Sequence, residues 1–139
     1  MAAEQIVRDF FDHLTRAETE QALVLLDPGV EWRNTGMPTY RGDRVHAMLR
    51  DLVRRGVTFE VEWHHIAADE HVVLTGRTDV LGYGSWNTSF RVRGTFEIKD
   101  GRIAVWDDSF SWLELLGSGR AGADAQQLSP SCGTVPSMR

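Results

Sequence analysis

The sequence predicts an α+β domain: a strongly curved, mixed or antiparallel sheet wrapped around N-terminal helices, a cone-shaped barrel with an internal pocket. Three observations predict it. Apolar residues recur at helical spacing in the first part of the chain, the period changes to two from Val57 onward, and the alternating segments are long and separated by glycine-containing turns.

Ile6, Val7, Phe10, Phe11 and Leu14 form one apolar stripe and define the first helix. Ala22, Leu23 and Leu26 begin a second, shorter helix that Asp27-Pro28-Gly29 is expected to stop. Val30 to Asn34 reads as a brief strand. After the turn-rich stretch Thr35 to Gly42, the residues Val45, Met48, Leu49, Leu52 and Val53 share one helical face, with Asp43 near its start and Gly56 at its end.

Val57, Phe59, Val61 and Trp63 then lie on one side of a strand whose other side carries Thr58, Glu60, Glu62 and His64. Val72 to Leu81 is a second long strand, and Gly82-Tyr83-Gly84-Ser85 is expected to be a loop. Trp86, Thr88, Phe90, Val92, Gly94, Phe96 and Ile98 alternate along a third, and Asp100-Gly101 marks a hairpin into a fourth, Ile103 to Phe110. Trp112 to Leu116 is read as a short closing helix. Inward-facing Trp32, Phe90, Phe96, Trp106 and Phe110 would make the pocket apolar. Residues 1–117 are expected to form a single cone domain, and the small, polar segment 118–139 a poorly ordered tail.

At 139 residues, a chain buries roughly 68% of its unfolded surface. A hydrophobic core then suffices, and the lone Cys132 closes no disulfide. With 15 Lys+Arg against 20 Asp+Glu and a net charge of -5, the chain lacks the basic balance of a nucleic-acid partner. No apolar run approaches the roughly 20 residues of a membrane helix, and the acidic N-terminus is unlike a signal peptide, which points to a cytoplasmic protein. The adjacent His64 and His65 would face opposite ways on a regular strand, and His13, His46 and His71 are scattered, so no metal-ligand set is expected. A glycine-rich phosphate loop and a Gly-x-Ser-x-Gly nucleophile turn are both missing, which removes nucleotide binding and serine hydrolysis.

The charges on the strands need a separate explanation. Arg77 and Asp79 share a face with Val73, Thr75 and Leu81, but the opposite face of that strand is also mostly apolar. Alternation therefore leaves a surface ion pair and an inward pair both open. On the last strand the inward acid is Asp107 or Asp108, depending on the hairpin. A two-residue Asp100-Gly101 turn on regular strands turns Asp107 inward, whereas a three-residue loop with a glycine bulge turns Trp106, Asp108 and Phe110 inward at the expense of Ile103 and Val105. The bulged loop is preferred because it places two aromatic residues beside the acid. An arginine between two acids in an apolar pocket is costly, and chemistry is one reason for it: different surroundings can leave one acid protonated and the other ionised.

These residues resemble the limonene-1,2-epoxide hydrolase family, within the SnoaL-like group of the nuclear-transport-factor-2-like fold. The resemblance covers roughly Ala3 to Leu116. It rests on Trp32-Arg33-Asn34 before a Gly/Pro-containing loop and Arg41-Gly42, on Thr75-Gly76-Arg77-Thr78-Asp79-Val80, and on Asp100-Gly101-Arg102-Ile103 leading to Trp106-Asp107-Asp108-Ser109-Phe110.

The resemblance implies a cofactor-independent enzyme that adds water to a hydrophobic epoxide in one step, giving a vicinal diol without a covalent ester or a metal. It implies that Arg77 bridges the acids, Asp79 protonates the epoxide oxygen, Asp108 is the general base and Asn34 binds the water. The family's water-binding tyrosine falls on Trp32, whose indole donates a hydrogen bond but accepts none. A homodimer is also implied. The alternatives are another acid-base enzyme of the same cone, an isomerase or an epoxide-opening cyclase, and a non-catalytic ligand-binding domain.

Overall fold

The first apolar stripe folds as helix α1 (Ala3–Thr15), which buries Ile6, Val7, Phe10, Phe11 and Leu14. The computed structural model describes residues 2–117 and the backbone of 120–121. After α1 come α2 (Thr19–Leu23), β1 (Leu26–Asn34), β2 (Tyr40–Arg41), α3 (Asp43–Arg54), β3 (Thr58–Ala68), β4 (Val72–Tyr83), β5 (Trp86–Lys99), β6 (Arg102–Phe110), α4 (Trp112–Gly117) and β7 (Arg120–Ala121). Helices come first and long strands after, as the change of period requires.

The strands form one mixed sheet in the order β2-β1-β6-β5-β4-β3, with β7 paired to the first residues of β5. Every pairing is antiparallel except that of β1 with β6. Helix α1 touches β3, β4 and β6, so strands from both halves of the sheet enclose it. Phe11 is the centre of this contact. Its ring meets Phe10, Phe59, Trp63, Phe96 and Trp106 at centroid separations of 5.3 to 5.9 Å. Interlocking aromatic edges of this kind hold a helix in a fixed orientation better than aliphatic packing alone.

Four local expectations change. Leu26 is not helical: α2 stops at Leu23, and Leu26 pairs with Ile103, so the strand begins before Asp27-Pro28-Gly29. The Asp27 carboxylate accepts a hydrogen bond from the Gly29 N–H, and the register slips between Leu26 and Glu31, which lets proline and glycine sit in an irregular part of β1. Gly82 and Tyr83 likewise belong to β4, leaving Gly84-Ser85 as the turn between the Tyr83 and Trp86 partners.

The Asp100-Gly101 hairpin is the two-residue form. Lys99 pairs with Arg102, and Asp100 and Gly101 both have positive φ, 52° and 76°, the backbone such turns require. The bulge lies further along: Ile98 faces Ile103 while Glu97 faces Val105, so Ala104 is the extra residue. That single insertion changes the parity of β6 and sends Ile103, Trp106 and Asp108 all inward. The conflict between Ile103 and Asp108 disappears.

A second bulge, at His64, pairs Trp63 with Arg77 and His65 with Gly76. Both histidines consequently lie on the outer side of the sheet, not on opposite faces, and His64 Nε2 lies 2.8 Å from Thr78 Oγ1. Among the described residues no three His, Cys, Asp or Glu side chains gather as metal ligands would. No described helix is long and apolar enough to cross a membrane. The expectation for the tail, and Cys132 with it, lies outside the described residues apart from the Arg120 and Ala121 backbone.

Candidate active site

The parallel pairing of β1 with β6 sets Trp32 beside Trp106 and Asn34 beside Asp108. Strand β5 lies between β6 and β4, and its Gly94 is the cross-strand partner of Asp108 on one side and of Thr75 on the other. Arg77 and Asp79 follow Thr75 on the same face of β4. All five residues proposed from the sequence are therefore carried by three strands, β1, β4 and β6.

Arg77, Asp79 and Asp108 meet inside. They are 1%, 5% and 6% exposed, which decides the open question of the β4 faces against a surface pair. Arg77 Nε donates to Asp79 Oδ1 at 2.8 Å, and Nη2 donates to Asp79 Oδ2 at 3.2 Å and to Asp108 Oδ2 at 2.7 Å. Nη1 donates to Thr75 Oγ1 at 3.2 Å, and the threonine hydroxyl donates in turn to the Gly94 carbonyl. The guanidinium lies 4.7 Å from the centre of the Phe11 ring, so a helix from the far side of the core caps its open face.

Such a triad is tolerable in an apolar interior because the arginine satisfies both carboxylates at once. Burial pushes the Asp79 carboxyl up to about 6, against the pull of Arg77. Burial also raises Asp108, opposed by Arg77 and by the Trp106 hydrogen bond. For Arg77 burial works against the charge, but the two carboxylates, Asp108 first, more than compensate and hold it cationic.

Both acids open onto a cavity of about 410 Å³. Apart from Asn34, Asp79, Asp108 and the indoles of Trp32, Trp106 and Trp112, its wall is aliphatic, phenyl or methionine, drawn from α1, α3, α4, β3 to β6 and the segments before β2 and β3. Trp32, Phe90, Trp106 and Phe110 line it as expected. Phe96 does not: it packs beneath, against Phe11 and Trp106. Two of the residues lining it each have a buried polar atom without a hydrogen-bond partner, Trp32 Nε1 and Asp108 Oδ1, the first able only to donate and the second, when ionised, only to accept. The arrangement can hold a small hydroxylic molecule beside a carboxylate while a second carboxyl group delivers a proton.

A family model described as the limonene-1,2-epoxide hydrolase catalytic domain matches residues 1–120. The chain belongs to the limonene-1,2-epoxide hydrolase family. As a member of the limonene-1,2-epoxide hydrolases it is an enzyme of the epoxide hydrolase class. It is 37% identical over 110 residues to "Epoxide hydrolase EphG" of Mycobacterium tuberculosis, a match covering 79% of this chain and 74% of that protein. A solved M. tuberculosis LEH-like epoxide hydrolase is similar with a TM-score of 0.79 and 33% identity, covering 88% of this chain and 92% of that one. An NTF2-like protein from Burkholderia xenovorans LB400, 19% identical, shares the fold with a TM-score of 0.65 over 82% of this chain and 92% of its own.

Sequence reasoning missed four contributors to this limonene-1,2-epoxide hydrolase site. Thr75 had a signal, since it shares the Arg77 face with a hydroxyl and no polar neighbour to pair with outside. Gly94 had one too, because a glycine within a long strand marks a close approach. Phe11 and the Trp106 N–H had none, as both read only as apolar core.

Proposed function

We propose that the protein adds water to a hydrophobic epoxide to give a vicinal diol in one step, by general acid-base catalysis and without a cofactor. The observation that carries this is that Asp79 and Asp108, joined through the buried Arg77, line one apolar cavity. Asp79 is the acid. Its pKa of about 6 leaves a protonated fraction near neutrality, and an apolar substrate that displaces water pushes the carboxyl further in the same direction.

Asp108 is the base. Its carboxylate takes a proton from a water held by the Asn34 side chain, the water oxygen bonds to a ring carbon, the ring C–O bond breaks, and the Asp79 proton goes to the departing oxygen. Proton donation and attack coincide because a strained ring still leaves as a poor alkoxide. Arg77 keeps the two carboxyl groups at fixed positions throughout, so little reorganisation accompanies the step.

Trp32 supports a second possibility. Its N–H cannot accept a hydrogen bond from water, so a nucleophile supplied by the substrate's own hydroxyl, with ring closure, needs less of what this position lacks. The resemblance also supports a homodimer.

The test is to incubate the protein with terpene and styrene-type epoxides in isotopically labelled water, alongside Asp79→Asn and Asp108→Asn. Labelled diol from the wild type, lost in both variants, is expected. Unlabelled cyclic ether would favour the ring-closing reaction, and folded variants as active as wild type would overturn the acid-base assignment.

A further inference from the structure

The two oxygens of Asp108 have different surroundings, and the difference is set by Trp106. Oδ2 accepts from Arg77 Nη2 at 2.7 Å and from Trp106 Nε1 at 2.9 Å. Oδ1 has no protein partner. Trp106 precedes Asp108 by two residues on the inward face of β6, so its indole N–H is close to the carboxylate it serves.

The indole itself is held firmly. It is 3% exposed, stacks on Trp32 at 4.3 Å and 15°, and meets Phe10 edge-on at 5.1 Å. A ring clamped on its faces and edge cannot swing its N–H to another acceptor.

We propose that Trp106 is a positioning residue for Asp108: with Arg77 it holds Oδ2, fixing the carboxylate in place and favouring its ionised form. The inference rests on the assignment of Asp108 as base and adds what holds that base in place and keeps it ionised. Without the indole donor, Oδ2 keeps one bond, the carboxyl can rotate, and its charge is less well compensated.

The same N–H favours the ionised carboxylate over the acid, since it donates to a full negative charge. The other groups around Asp108 are Arg77 and Asp79 from β4 and Asp107 next along its own strand. Asp107 turns to the outer side of the sheet near Arg33. Helix α1 brings the Phe10 and Phe11 rings to Trp106, β5 presents Gly94, and β1 presents Trp32 and Asn34. Trp106 is thus the sole uncharged side chain among the described residues that donates a hydrogen bond to this carboxylate.

The experiment is a pH profile of kcat and KM on a styrene-type epoxide for wild type, Trp106→Phe, and a protein with benzothienylalanine at position 106, which keeps the indole shape but carries sulfur in place of N–H. Loss of the donor is expected to move the acidic limb up by about one pH unit, lowering kcat on the order of tenfold on that limb, with recovery at higher pH and little change in KM. The isosteric residue preserves packing, so it decides the matter even if the phenylalanine variant folds poorly. An unmoved limb, or a loss equal at every pH, would overturn the role of Trp106. Activity surviving in Asp108→Asn would instead overturn the base assignment beneath it.

Discussion

Arg77 reaches Asp108 by crossing β5 at Gly94, and the absence of a side chain at Gly94 is what allows it. A methyl group there would overlap Arg77 Nη1 and lie 2.8 Å from both Asp108 Oδ1 and Thr75 Oγ1. Strands β4 and β6 are not neighbours in the sheet, so the ion triad depends on this one open position in the strand between them.

Gly94→Ala should therefore disable the site more than its size suggests. Overpacking of a rigid interior costs about 1–3 kcal/mol, and displacing the guanidinium separates acid from base. The expected result is a folded protein with activity reduced on the order of a hundredfold, read from initial rates and a urea midpoint. Activity close to wild type would show that Arg77 need not take this path.

The raised carboxyl of Asp79 makes a prediction about stability. A group with a folded pKa of about 6 and an unfolded value of 3.8 binds its proton more tightly when folded. The contribution of this group to stability then falls as pH rises from about 4 to 6, by about 3 kcal/mol once the change is complete. Asp79→Asn mimics the neutral carboxyl. Its urea midpoint should match wild type near pH 4 and exceed it at pH 7. A variant less stable than wild type at pH 7 would mean that the Arg77 bond outweighs burial.

We propose that Trp32 stands where the family's water-binding tyrosine would act. Its N–H is buried without a protein partner, and its ring stacks on Trp106. Trp32→Tyr keeps an aromatic ring against Trp106 and adds a hydroxyl that both donates and accepts, so diol formation is expected to rise by about threefold. Unchanged or lower turnover would show that the tyrosine hydroxyl does not improve water activation here.

The layout of helices and long strands was legible in the sequence because each period is local. So was the triad's composition, since Arg77 and Asp79 share a strand face. The choice of Asp108 over Asp107 was reached through the wrong device: the parity of β6 depends on the Ala104 bulge, and nothing at Ala104 distinguishes it from an ordinary strand residue. Leu26 was misread because one apolar residue at helical spacing carries little weight against pairing with Ile103. The Trp106 N–H could not be seen at all, as a residue name does not tell whether an indole is wall or donor.

The most direct test is a single turnover with enzyme in excess in isotopically labelled water, followed by mass analysis of the diol and of the peptides containing Asp79 and Asp108. Direct attack of the water activated by Asp108 predicts one labelled oxygen in the diol from that first turnover and none in either carboxylate. An unlabelled diol with label appearing in an aspartate would reveal an ester intermediate and contradict the one-step mechanism.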